Sequence, residues 1–170
     1  AINRLNNYGM TALMKACCKG HHECAQALVD AGVAVDKLNR FGRTALINAC
    51  FNGHHECARA LINVGAAVDV ADNDGCTALM SAVNYGEHVC IRALVDARAN
   101  LELTNRDGQT ALMLACTKPH HSSVSAPRAA CVLPLLEFMV PIREAVIADQ
   151  AASLKLACER HRALKVVLST

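Results

Sequence analysis

The sequence predicts an all-α solenoid of stacked helix-turn-helix units joined by short β-turn fingers. Three observations predict it. Thr11, Thr44, Thr77 and Thr110 are each 33 residues apart, and each stands in Gly-x-Thr-Ala-Leu. Residues 11–36 and 44–69 are identical at 17 of 26 positions, so the period is an internal duplication. The apolar content is 53%, yet only five of 170 residues are aromatic (two Tyr, three Phe), so the core must be built from small and aliphatic side chains.

Each unit justifies its elements in order. "NNYGMT" reads as a turn in which Gly9 is free to take positive φ. Thr11 then suits the N-cap of a short helix, "ALMKACCK", with Ala12, Leu13, Ala16 and Cys17 to one side. Gly20 breaks that helix, and "HECAQALVDA" starts a second with Cys24, Ala27 and Leu28 at i, i+3 and i+4. Gly32 suits a left-handed stop, and "VAVD" leads out extended. Two short helices cannot bury a small-residue face alone, whereas stacked neighbours can.

The period, the turn-helix-helix order and the pattern G-x-T-A-L-x-x-A…G-H-x-E…L-V-x-A-G-x-x-V-D resemble ankyrin repeats, strongly over about 1–118 and weakly beyond. The chain then divides as one domain, 1–170. The first unit (1–36) carries a partial preceding tail. The second unit is 37–69, the third 70–102 and the fourth 103–145, with an inserted loop at about 122–130; a degenerate C-terminal cap follows at 146–170. The pattern is already under way at Ala1, so the chain reads as part of a larger polypeptide.

The sequence departs from the family pattern in two places. The histidine of the family's Thr-Pro-Leu-His is replaced by Met14, Ile47, Met80 or Met113, which exchanges a polar network for apolar packing. Arg98 stands where Gly32 and Gly65 end the second helix, so that helix is expected to end differently.

"GHHECA" occurs at 20–25 and again at 53–58 and looks like metal chemistry. The register makes it scaffold. The resemblance implies that His21, His54 and His120 occupy the family's Gly-His corner, while His22, His55, His88 and His121 form a second column. Glu23 and Glu56 fall in the first turn of the second helix, where carboxylates complement the helix dipole. Cys24, Cys57, Cys90 and Cys131 hold one core column; Cys17, Cys50 and Cys116 hold another, in which Val83 takes the remaining place. Valine cannot ligate a metal. Equivalent residues in stacked units stand roughly 8–10 Å apart, too far for a closed zinc site or a same-column disulfide. No cofactor and no metal site is expected. Cys18 and Cys76 lie outside the core columns and are expected to be exposed.

Other classes fare no better. A net charge of +2 is too small to imply nucleic acid. The richest apolar stretch, 129–142, contains Glu137 and two prolines and is not a membrane span. There is no phosphate loop, nucleophile elbow or H-E-x-x-H, so catalysis is not expected. Ten cysteines fall below the fraction of a disulfide scaffold, and no secretory signal is visible. The expected location is intracellular, the cytoplasm before the nucleus.

Function is then expected on the concave face of finger tips and first helices. The first unit supplies Tyr8, Met10 and Lys15; the second Arg40, Phe41, Arg43, Asn48 and Phe51. The third supplies Asp74, Ser81, Asn84 and Tyr85, the fourth Arg106 and Gln109. With their column neighbours, including Asn7, Cys18, Asn52, Cys76 and Leu114, these positions vary between units while core columns repeat. The set holds four of the five aromatics and six Lys/Arg against two Asp, the composition of an interface hot spot. The reading is a protein-protein interaction module without catalysis, gripping a protein or peptide with acidic segments. The alternatives are a structural spacer in a longer array and a metal or redox protein using the His/Cys columns.

Overall fold

A computed structural model describes residues 3–117 and 131–136. Among the described residues three helix pairs, α1 (Ala12–Lys19) with α2 (His22–Asp30), α3 (Ala45–Phe51) with α4 (His55–Asn63) and α5 (Ala78–Tyr85) with α6 (His88–Asp96), are followed by α7 (Ala111–Thr117). A further helical stretch follows at 131–136. The inner helices α1, α3, α5 and α7 pack in one layer and the outer helices α2, α4 and α6 in another. The expected inserted loop at about 122–130 and the expected cap at 146–170 lie outside the described residues.

The threonines cap as their spacing predicts. Thr11, Thr44 and Thr77 are extended, and each side chain accepts the N–H three residues on, from Met14, Ile47 and Met80. Those three apolar residues are themselves buried, which is the packing the missing family histidine leaves room for. Before each inner helix the chain closes a tight finger: Asn6, Asn39, Asp72 and Asn105 donate their N–H groups to the carbonyls of Met10, Arg43, Cys76 and Gln109.

Neighbouring fingers are tied together at their tips. The N–H groups of Arg40, Asn73 and Arg106 reach the carbonyls of Tyr8, Phe41 and Asp74 of the preceding finger, at 3.3, 3.0 and 3.0 Å. That approach explains the turn glycine. At Gly42, φ is +71°, and a Cβ there would stand 2.8 Å from the Asn73 backbone nitrogen.

The expectation for Arg98 is corrected. The third outer helix ends as the other two do, with Arg98 at φ +64° beside Gly32 at +73° and Gly65 at +83°. The closing bonds are also the same: Arg98 N–H reaches the Val95 carbonyl and Ala99 N–H the Leu94 carbonyl, as Gly65 and Ala66 do with Ile62 and Leu61. The packing of Leu94 and Ala99 holds the arginine in a left-handed conformation that costs an L-residue about 1 kcal/mol. Arg98→Gly is expected to raise stability by about that amount in urea titration. A loss instead would mean that the side chain's own contacts outweigh the strain.

One core column also reads differently from expectation. Cys57, Cys90 and Cys131 are buried, but Cys24 is exposed, because no described unit packs against that face of the first repeat.

Candidate functional site

The face expected to bind is assembled by the fingers and the inner helices. In each finger one side chain shapes the loop: the Oδ1 atom of Asn6, Asn39, Asp72 and Asn105 accepts two backbone N–H groups, two and four residues on, at 2.8–3.0 Å. This is the Asx-turn chemistry that fixes a tip in one conformation. The tips therefore present their side chains from a rigid frame. Tyr8 is 65% and Phe41 58% exposed, and Arg40, Asp74 and Arg106 are exposed as well.

At the second and third units the expected anchors converge, but on one another. The rings of Phe51 and Tyr85 stack with centroids 4.2 Å apart and planes tilted by 48°. The Arg43 guanidinium lies 4.5 Å from the Phe51 centroid, where the ring quadrupole attracts it. Its Nε donates to Asp72 Oδ2 at 3.2 Å. The Asp72 carboxylate is nearly enclosed and is held from its other oxygen by the Asp74 and Cys76 N–H groups. The result is a short stack of carboxylate, guanidinium, phenyl and phenol, with Arg43, Phe51 and Tyr85 all half-buried. Asp72 is absent from the sequence-based set. The signal for it is the recurring Asn/Asp three residues before each turn glycine, where this unit alone carries a charge among the described fingers.

Two predicted contact residues are corrected. Asn48 and Ser81 are buried between neighbouring inner helices, and Leu114 of the same column is buried with them. Asn48 spends its Nδ2 on the Thr44 carbonyl at 3.0 Å. Lys15, in the first unit, is the exposed member of that column. Met10, Gln109 and Asn84 are half-buried, and Asn84 Oδ1 is enclosed without a hydrogen-bond partner among the described residues. Cys18 and Cys76, expected to be exposed, are half-buried; Cys18 Sγ accepts from Asn52 Nδ2 at 3.8 Å.

The His/Cys cassettes lie elsewhere and remain scattered. Among the described residues no three His, Cys, Asp or Glu side chains converge on a point. The corner residues do structural work between repeats: the His54 ring covers Gly20, and the Glu87 carboxylate covers Gly53. On the outer side, His22 and Glu56 approach to 3.8 Å, but both are more than half exposed. Such a pair contributes little. The thiols at the core are raised above the ordinary range: Cys17 by burial and then by Cys57, Cys50 by its contact with Cys90 and then by burial. Burial also pushes up Cys57 and Cys131. These are inert thiols, the reverse of what nucleophilic or metal chemistry needs.

Among the described residues no helix is long and apolar enough to cross a membrane. A family model described as ankyrin repeats (3 copies) matches residues 1–72 and 64–126. None of the curated proteins compared with the chain matches it.

Proposed function

Since the chain belongs to the ankyrin-repeat family, whose members generally bind other proteins and are generally not catalysts, we propose that it is an intracellular, non-catalytic module that grips a protein or peptide on its concave face. The supporting observation is the Arg43–Phe51–Tyr85 stack, flanked at the finger tips by the exposed rings of Tyr8 and Phe41. A half-buried aromatic pair gives a partner side chain apolar area that costs little ordering entropy, because the rings already hold each other. Lys15, Arg40 and Arg106 are exposed around it, and these cations favour a partner with acidic segments by steering its approach.

The test compares partner binding by the native chain with Phe41→Ala/Tyr85→Ala and with an outer-face control, Gln26→Ala/Arg59→Ala, all checked for helix content. Loss of the two rings is expected to weaken binding by a factor of about 30 or more, the size of a hot-spot deletion of about 2 kcal/mol. The control should bind as the native chain does. Affinity should also fall as salt rises from about 50 to 300 mM; a salt-independent affinity would remove the acidic part of the reading. Equal binding by both variants would remove the concave face.

A further inference from the structure

Arg43 stands immediately before the Thr44 cap, where the second finger runs into α3. The same place in the other units holds Met10, Cys76 and Gln109, so Arg43 is the one cation of its column. All four are half-buried. A guanidinium placed there loses hydration, and its contacts must make up for it. Its Nε donates to Asp72 Oδ2 at 3.2 Å, and its Cζ lies 4.5 Å from the centroid of the Phe51 ring. Phe51 is itself backed by Tyr85, with the ring centroids 4.2 Å apart.

Asp72 is held just as firmly. Its side chain is 3% exposed, and Oδ1 accepts the N–H groups of Asp74 and Cys76, both at 2.9 Å. The ion pair therefore joins the second finger to the third with both ends fixed. It uses only one side of the arginine fork. The two Nη groups carry four further N–H donors, and these make no hydrogen bond among the described residues. The Arg43 side chain stays 27% exposed. With Nε engaged, the Nη edge is the part of the fork that a ligand can reach.

We propose that Arg43 is a preformed receptor for one carboxylate, an aspartate or glutamate side chain of the partner, and that Asp72 is the positioning residue that aims it. The inference rests on the interaction-module reading above and names the chemistry at its centre. A planar fork takes the two oxygens of a carboxylate through parallel N–H bonds. Because the fork is already clamped, little side-chain freedom is lost on binding. The exposed Lys15, Arg40 and Arg106 lack that clamp, so they steer the approach without fixing a register. The ligand carries a single negative charge. A phosphate dianion would meet the Asp72 carboxylate and the exposed Asp74 of the same finger, where like charges repel. Phe41, two residues before Arg43, is 58% exposed and Leu38 51% exposed. The recognised element is therefore an acidic residue beside a large apolar one.

The probe is a library of short random peptides displayed on phage and selected on the full chain. The strongest binder is then synthesised with its acidic residue intact, replaced by the amide, and replaced by phosphoserine. Selected peptides are expected to share an acidic residue beside an apolar one and to be lost on Phe41→Ala/Tyr85→Ala. The amide should weaken binding to the native chain by about ten-fold or more, yet change little on Arg43→Gln. This coupling is read from the peptide side, so a general loss of fold in the variant does not mimic it. Arg43→Lys keeps the charge but not the fork and should not restore the preference. Asp72→Asn should shrink the acid-over-amide ratio while leaving the salt dependence of binding unchanged. Arg40→Gln should leave that ratio intact. Peptides that need Phe41 and Tyr85 but show no acid preference, or one that Arg43→Gln leaves unchanged, overturn the receptor and spare the module reading. Full rescue by Arg43→Lys, or tighter binding of the phosphoserine peptide, also overturns it. Peptides bound equally by Phe41→Ala/Tyr85→Ala overturn both readings.

Discussion

Stability is expected to fall steeply as pH rises from about 8.5 to 10, far more than for a protein with a hydrocarbon core. The cause is the choice of cysteine as core filler. Cys17, Cys50, Cys57 and Cys131 are buried, and each holds its proton above the ordinary thiol range, by burial in three cases and first by the Cys90 contact in Cys50. Below the unfolded thiol value of about 8.5 both states are protonated, so the packing counts in full. Above it the unfolded chain releases protons that the folded chain keeps, and the unfolded state gains. Each thiol that keeps its proton contributes a slope of up to about 1.4 kcal/mol per pH unit, so Cys17 and Cys50, the two held furthest above the ordinary range, approach about 3 kcal/mol per unit. Between about pH 8.5 and 10 that removes about 4 kcal/mol from a domain stable by about 5–15 kcal/mol. Urea midpoints measured under reducing conditions at pH 7.5 and 9.5 check this. Cys17→Val/Cys50→Val is expected to remove most of the loss and still to fold, because Val83 already fills that column. A midpoint that stays level to pH 10 would show that the folded thiols ionise in place.

That column also shows what a sequence can and cannot tell. The fold was legible because its unit is short and local. Threonine caps, turn glycines and small apolar residues recur at one interval, and each recurrence is decided by contacts within the unit or with an identical neighbour. The gathering of aromatics was legible in part, for Phe51 and Tyr85 meet while Phe41 and Tyr8 stand exposed at the finger tips. The site was not legible where position depends on a junction. The column Lys15, Asn48, Ser81 and Leu114 varies like a surface, yet three of its members are buried. Each junction fills that place in its own way, Asn48 by bonding the Thr44 carbonyl. Asp72 went unread because its partner Arg43 lies in the neighbouring finger, 29 residues back. Cys24 repeats the core letter but lacks the neighbour that makes the position core. Arg98 was misread for the opposite reason: packing on both sides imposed a helix ending that the local residue disfavours.

The same dependence on neighbours sets the largest single-residue effect expected. Leu28, Leu61 and Leu94 are one column and one side chain, so the substitution to alanine removes the same atoms from each. Leu61 and Leu94 are fully enclosed, and Leu→Ala at such sites costs about 2–5 kcal/mol, the transfer of the side chain plus the cavity left behind. Leu28 is half-buried; it loses less area and leaves an open notch in place of a cavity, so about 1 kcal/mol is expected. Stability in a stack is a sum of unit and junction terms. Loss at Leu61 therefore weakens the coupling between the first and second units as well as the second unit itself, and protection from amide exchange should fall first in α1 to α4. Urea titration of the three variants gives the ranking directly. If Leu28→Ala costs as much as Leu61→Ala, the face of the first unit is covered in solution, and the exposure of Cys24 falls with it. If the cost at Leu28 is small alone but rises toward that of Leu61 when an extra unit is placed in line before residue 4, the column energy comes from the neighbour.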